Sequence, residues 1–204
     1  MRSGQLSLFA PEDIPQAYTP CEYFLLISPP SALIEKIRAM KKKLHKIVPV
    51  GEDNLHSIAH ISLLKLRMRE NDELVTGKVR RALTNLHGFT ISLNGAEVFA
   101  HGRASRSLVL RISNPEPVNI LHAWISSEFG NRKGITPHLT IAKKIPAKNF
   151  AKVPVQDFNR YDSFLCNSVT ILKKTGEQEH YTLLAKIPLA AAESSVLQGG
   201  KKIL

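Results

Sequence analysis

Two short motifs in the sequence place a histidine two residues before a hydroxyl. HIS begins at His60 and HLT begins at His138, each inside an apolar stretch typical of a strand. Alternate residues of a strand face the same side, so His60 and Ser62 are expected to share one face. The same spacing puts His138 beside Thr140. Two such strands side by side would line one cleft with two imidazoles and two hydroxyls.

These groups suit the cleavage of a phosphodiester bond. The reaction needs a base for the nucleophile and an acid for the leaving oxygen, and histidine serves as either near neutral pH. Hydroxyls donate hydrogen bonds to phosphate oxygens on which charge accumulates. One His-x-Ser tripeptide arises by chance in most proteins, but two in matching contexts indicate a shared site. The predicted mechanism needs no metal and no cofactor, and the motifs leave open which histidine is the acid.

A zinc site is the alternative interpretation of the first motif. His56 and His60 are four residues apart, which on a helix would suit a metal. The stretch HSIAH lacks the glutamate that follows the first histidine of the metalloprotease motif. We therefore predict no metal site.

The sequence around the motifs alternates between strand and helix patterns. Strands are predicted at 22–28, 56–66, 89–93, 96–100, 107–112 and 134–143, with a final hairpin of 163–173 and 180–187. Helices are predicted from Ser31 to Ile47, from Asn71 or Asp72 to about Leu86, and from Pro115 to Phe129. Strand, helix and a strand with a histidine motif occur in this order twice, near 23–66 and 107–143. The pattern indicates an internal duplication of two α+β lobes.

The remaining organisation is simple. Residues 1–20 are predicted to form a flexible arm, 21–190 a single bilobal domain and 191–204 a flexible tail. No apolar run approaches the roughly 20 residues of a membrane span, and no secretory signal is recognisable. Cys21 and Cys166 suggest no disulfide framework. We expect a monomer in a reducing cytoplasm.

The charge balance favours an anionic partner. The chain has 28 Lys and Arg against 17 Asp and Glu, a net charge of +11. Nucleic acid is the commonest partner of such a protein, although a solvated basic surface gives the same number.

At HISL and PHLTIAK the chain resembles the two-histidine (2H) phosphoesterase superfamily, in its LigT-like branch of 2′-5′ RNA ligases and cyclic phosphodiesterases. The resemblance runs from Tyr23 to about Leu189. It implies an α+β fold of two pseudo-symmetric lobes, each with an antiparallel sheet and helices, around a central active-site cleft. It also implies that His60 and His138 are catalytic and that Ser62 and Thr140 bind phosphate.

Two positions depart from this pattern. The RNA ligase branch often has arginine three residues after the second hydroxyl, and this chain has Lys143. Lysine neutralises a phosphate as a point charge, without a bidentate fork. The first motif continues as LLKLR, where close relatives usually have Phe and Gly. Lys143 is nevertheless the predicted third phosphate ligand.

The expected activity is the opening of nucleoside or RNA 2′,3′-cyclic phosphates, or the cleavage and resealing of 2′,5′ RNA linkages. Two alternatives remain. One is a non-catalytic nucleic-acid binder on the same fold, and the other is a phosphodiesterase for a small cyclic nucleotide or an ADP-ribose derivative. The sequence does not decide between hydrolysis and ligation.

The N-terminal arm carries a motif of its own. The stretch Gln5-Leu6-Ser7-Leu8-Phe9 is similar to the pentapeptide by which bacterial proteins dock on the DNA polymerase sliding clamp. Such peptides are short, extended and terminal, and their Leu-Phe pair fills an apolar pocket. An apolar segment folded back onto the body is the alternative interpretation.

Overall fold

The computed structural model describes residues 20–176 and 180–190. The strands are β1 (Pro20–Ile27), β2 (Ile61–Arg69), β3 (Phe89–His101), β4 (Ser105–Ile112), β5 (His138–Pro146), β6 (Tyr161–Cys166), β7 (Ser168–Thr175) and β8 (Thr182–Pro188). The helices are α1 (Ser31–Ile47), α2 (Glu52–His56), α3 (Asp72–Leu83), α4 (Glu116–Glu128) and α5 (Ala147–Phe150).

The strands form two four-stranded antiparallel sheets. Their orders are β2-β1-β7-β8 and β5-β4-β3-β6. In each sheet a strand, a helix and an antiparallel neighbour follow one another along the chain, as β1-α1-β2 in one and β4-α4-β5 in the other. The predicted α+β fold of two similar lobes is therefore confirmed. The first lobe is completed by the hairpin of β7 and β8 from the end of the chain.

Apolar stripes hold the helices on the sheets. On α1, Leu33, Ile37 and Leu44 are buried in the same apolar core as Tyr23, Leu25 and Ile27 of β1. Helix α3 begins where the Asn71 side chain accepts a hydrogen bond from the Leu74 N–H at 2.9 Å, the usual arrangement of an Asn cap. The Tyr23 hydroxyl donates to Asp72 at 2.7 Å and so ties the start of α3 to β1.

The strand prediction for 56–66 is wrong at its beginning. Residues Glu52–His56 form the short helix α2, and β2 begins only at Ile61. The apolar residues of this stretch did not reveal the helix, because a five-residue element has too few turns to show periodicity. The strand predicted at 134–143 likewise begins only at His138.

The stretch predicted as one strand, 163–173, is two strands in different sheets. It is interrupted at Asn167, so that β6 pairs with β3 and β7 pairs with β1. The hairpin of β7 and β8 is present as predicted. The strands predicted at 89–93 and 96–100 are one strand, β3, with a bulge at Asn94 and Gly95, where Gly95 has a φ of 77° that suits glycine.

The predicted arm and tail lie largely outside the described residues. This is true of residues 1–19, which include Gln5–Phe9, and of 191–204. Their assignments therefore stay predictions. Within residues 20–176 and 180–190, no helix has the length and apolar character needed to cross a bilayer.

Candidate active site

The strands that carry the two histidine motifs are in contact where the lobes join. Strand β2 of the first lobe contacts β5 of the second, and α2 packs against β5. The Asn54 side chain of α2 makes two bonds to the main chain of Lys143. It accepts from the Lys143 N–H at 2.8 Å and donates to the Lys143 carbonyl at 3.2 Å. This pair of bonds attaches the segment before His60 to the strand that begins with His138.

Both imidazoles are held in the same way. The Nδ1 of His60 lies 2.8 Å from the Ile58 carbonyl oxygen, and the Nδ1 of His138 lies 2.7 Å from the Thr136 carbonyl oxygen. A carbonyl only accepts, so Nδ1 must carry the proton in each ring. The other nitrogen, Nε2, is then the atom through which each histidine accepts or releases a proton. Both rings are half-buried.

An aromatic ring packs against each imidazole. The Phe24 and His60 ring centroids are 5.1 Å apart with the planes at 89°, and those of Phe99 and His138 are 4.8 Å apart at 69°. These edge-to-face contacts restrict rotation of the imidazoles. Sequence analysis did not identify Phe99, because the strand that supplies it is distant from His138 along the chain.

The duplication extends beyond the tripeptides, because HISLLK and HLTIAK align over six residues. Each has a β-bulge after the hydroxyl residue, shown by a register shift at Leu63 in β2 and at Ile141 in β5. A bulge reverses the alternation of side chains. It therefore turns Lys65 and Lys143, each five residues after its histidine, to the face of the preceding hydroxyl.

Ser62 lies exposed on β2 and Thr140 lies half-buried on β5. In the part of the chain that the structure describes, neither hydroxyl has a hydrogen-bond partner. Both are therefore free to donate to a ligand. His60 precedes β2, however, so the bond to Ile58 and the contact with Phe24 orient its ring, and strand alternation does not.

The environment of His60 is strongly positive. Burial lowers the pKa of His60, and the charges of Lys41, Lys143 and Lys65 lower it further, against an upward contribution from the bond to the Ile58 carbonyl. The neutral imidazole therefore predominates at neutral pH. Lys143 comes from the other lobe, so its charge acts on His60 across the joint between the lobes.

Lys41 is a site residue that sequence analysis missed. It belongs to the run Lys41-Lys42-Lys43, but it lies on the buried stripe of α1 and is only 2% exposed. Its ammonium donates to the Ser57 carbonyl at 2.7 Å and to the Ser57 hydroxyl at 2.6 Å. It thereby holds the segment that leads into His60. The helical spacing of α1 would have revealed it, since Lys41 falls between Ile37 and Leu44 on the apolar face.

Arg111 was also missed. It is the cross-strand partner of His138 on β4, so the two side chains project from the same face of the sheet. Its side chain is exposed, and it has no hydrogen-bond or ion-pair partner within the described ranges. Only the register of β4 against β5 reveals this neighbour, which is 27 residues away in the sequence.

Other histidines of the described residues make local ion pairs or hydrogen bonds. His56 pairs with Glu52 at 2.9 Å, His101 bonds the Ser107 hydroxyl, and the buried His122 bonds Ser126 one turn along α4. Across residues 20–176 and 180–190, no three side chains of His, Cys, Asp or Glu form a group suited to a metal.

Comparison with protein families gives a match over residues 28–178 of the 204. The matching family is the 2′-5′ RNA ligase superfamily. This range includes both histidine motifs. No curated protein matches the chain.

Solved structures share the fold at low sequence identity. LigT from E. coli in complex with NADP+ is 23% identical with a TM-score of 0.60, over 83% of this chain and 98% of LigT. LigT from E. coli in complex with phosphate is 22% identical with a TM-score of 0.60, over 84% of this chain and 98% of LigT. The protein TT0787 of Thermus thermophilus is 16% identical with a TM-score of 0.59, over 82% of this chain and 97% of TT0787.

The pH dependence of stability tests the buried position of Lys41. Burial, followed by the charges of Lys143 and Arg38, lowers the pKa of Lys41 from 10.5 to about 8. Between these values the unfolded chain holds a proton that the folded protein has released, so this residue makes the free energy of unfolding rise with pH. We expect Lys41→Met to lose this rise when urea unfolding is measured at pH 7.5 and 10.

The exposed Lys42→Met variant is the control, because Lys42 belongs to the same run but lies at the surface. The wild type and Lys42→Met should show the same rise between the two pH values. An equal rise in Lys41→Met would show that this ammonium is not desolvated.

Proposed function

Because the chain belongs to the 2′-5′ RNA ligase superfamily, we propose that it is a phosphodiesterase that opens RNA or nucleoside 2′,3′-cyclic phosphates or cleaves 2′,5′ linkages. The proposal assigns general acid–base catalysis to His60 and His138. The observation that carries it is the matched pair of imidazoles at the joint of the lobes, each with Nδ1 bonded to a carbonyl and Nε2 left for chemistry.

The two histidines would have different protonation states at the start. The positive surroundings and burial of His60 favour its neutral form, so we assign it the role of base in hydrolysis. His60 Nε2 would take a proton from water as the water oxygen bonds to phosphorus. His138, protonated at Nε2, would donate to the ribose oxygen as its bond to phosphorus breaks. The two rings then exchange states, and solvent restores them.

Ser62, Thr140 and Lys143 would hold the reacting phosphate. Their hydroxyls and ammonium lie on the faces that carry the histidine motifs, and hydrogen bonds from such donors strengthen as charge builds on the phosphate oxygens. Arg111 beside His138 adds a guanidinium suited to the same group. The complex of E. coli LigT with phosphate supports this proposal by showing that a protein of this fold accepts that anion.

The same groups serve ligation. A 5′-hydroxyl that attacks a cyclic phosphate takes the place of water, so His60 is again the base and His138 the acid as the 2′,5′ linkage forms. Cleavage of that linkage back to the cyclic phosphate is the reverse step, in which the two histidines exchange roles by microscopic reversibility. No nucleotide cofactor is needed, because the strained cyclic phosphate supplies the energy. Both cysteines are unpaired and buried, which agrees with a proposed place in the reducing cytoplasm.

Removal of either histidine tests the catalytic pair. We expect His60→Gln and His138→Gln each to lower kcat on nucleoside 2′,3′-cyclic phosphates or 2′,5′-linked dinucleotides by about 10²–10⁴-fold. The measurement is a substrate panel with EDTA present throughout, and His56→Gln is the control. Turnover at the wild-type rate in either variant would contradict the assignment. Salt-dependent RNA binding without turnover by the wild type would instead favour the non-catalytic binder.

The acidic limb of the pH–rate profile tests the role of His60. If His60 is the base, kcat/KM falls as pH drops through its pKa. Lys143→Met removes a positive charge that lowers this pKa. The limb and the His60 titration measured by NMR should therefore both move to higher pH. Movement of the NMR titration alone would show that the limb belongs to another group.

The pentapeptide Gln5–Phe9 supports a separate proposal, which is docking on the bacterial sliding clamp. We expect purified clamp to retain the full-length protein and to release it when Leu8 and Phe9 are replaced by alanine. Mutation of Ser3 to alanine is the control. If the clamp retained the variant with alanine at positions 8 and 9 as well as it retains the wild type, the proposal would be contradicted.

A further inference from the structure

The joint between the two histidine motifs presents more positive charge than one phosphodiester requires. A phosphodiester carries one negative charge, and Lys143 and Arg111 already lie on the His138 side. Lys65 adds a further ammonium on the His60 side, close enough to influence that imidazole. Glu22 beside Lys65 compensates one of these three charges, so two remain for a ligand. Such an excess of cations at a phosphate site suggests an additional anionic group on the ligand.

Lys65 shares the face of Ser62 because of the bulge in β2. Ser62 pairs with Leu26, and Lys65 pairs with Phe24. Leu26 and Phe24 are two residues apart on β1 and thus share a face, so their partners share that face as well. Lys65 therefore occupies in β2 the position that Lys143 occupies in β5, on the other side of the joint between the lobes.

Two aromatic rings support the Lys65 side chain. Its ammonium lies 4.6 Å from the centre of the Phe24 ring and 5.3 Å from that of Tyr181. It donates to the Tyr181 hydroxyl at 3.0 Å and to Glu22 at 3.4 Å. An ammonium has three donors, so these two contacts leave one for a ligand. The side chain is 55% exposed, which keeps that donor accessible.

We propose that Lys65, on the shelf formed by Phe24 and Tyr181, binds a second phosphate of the substrate next to the reacting one. This inference rests on the proposed function. In an RNA strand that ends in a cyclic phosphate, the nearest other phosphate is attached to the 5′ oxygen of the same nucleoside. The enzyme should therefore prefer ends with a 5′-linked phosphate to a bare nucleoside cyclic phosphate.

Three adenosine substrates test the preference. They are adenosine 2′,3′-cyclic phosphate, the same compound with a 5′-phosphate, and the dinucleotide ApA ending in a 2′,3′-cyclic phosphate. We expect kcat/KM of the wild type to be about tenfold higher for the two compounds with a second phosphate, as one charged contact suffices for that factor. A preference confined to the 5′-phosphate would identify a terminal phosphate as the ligand, and a preference for both would identify a strand.

Variants assign the preference to Lys65. Lys65→Met should reduce the ratio of kcat/KM values to about one, and Lys65→Arg should restore most of it. Lys174→Met is the matched control, because Lys174 lies opposite Glu22 on β7 and its replacement removes the same charge from the same sheet. It should leave the ratio unchanged. An equal loss in both variants would mean that general charge, and not Lys65, sets the preference.

A binding measurement separates failure of this inference from failure of the proposed function. The ligands are adenosine 3′,5′-bisphosphate and 3′-AMP, titrated calorimetrically into the His138→Gln protein with and without Lys65→Met. Tighter binding of the bisphosphate that depends on Lys65 supports the second phosphate site even if no substrate turns over. A wild type that is active but shows no preference, together with equal binding of the two ligands, would overturn the inference and leave the proposed activity standing.

Discussion

The hydrogen bond from each of the two imidazoles to the carbonyl two residues earlier is the interaction on which the proposed chemistry depends. It determines the tautomer, so that Nε2 of His60 and of His138 is the atom that exchanges protons. Because both acceptors are main-chain groups, the arrangement requires a particular backbone path before each strand. The edge contacts of Phe24 and Phe99 then restrict the rings.

The backbone path before His60 is itself held from two sides. Lys41 extends from α1 to the carbonyl and hydroxyl of Ser57, and Asn54 bonds the main chain of Lys143 in the other lobe. The buried Lys41 therefore has a structural role through its hydrogen bonds and an electrostatic role through its charge. The second role favours a neutral His60 in the free protein.

The duplicated lobes are similar in backbone and different in charge. Both have the bulge that turns a lysine to the face of the preceding hydroxyl, but Lys65 rests on aromatic rings beside Glu22, whereas Lys143 is bound through its main chain to Asn54. Arg111 is present on the His138 side only, as the partner of that histidine across β4. A symmetric scaffold with asymmetric side chains is what acid–base catalysis needs, because one histidine must begin charged and the other neutral.

The sequence by itself determined the repeat of HIS as HLT, the α+β order of elements and the lysine after the second motif, since local patterns and repeats are written in consecutive residues. Tertiary structure decided which strands are neighbours. It divided the stretch 163–173 between two sheets, made α2 out of an expected strand and placed Lys41 in the core. It also set Arg111 opposite His138, and such a register depends on contacts between residues distant in the chain, which no local pattern encodes.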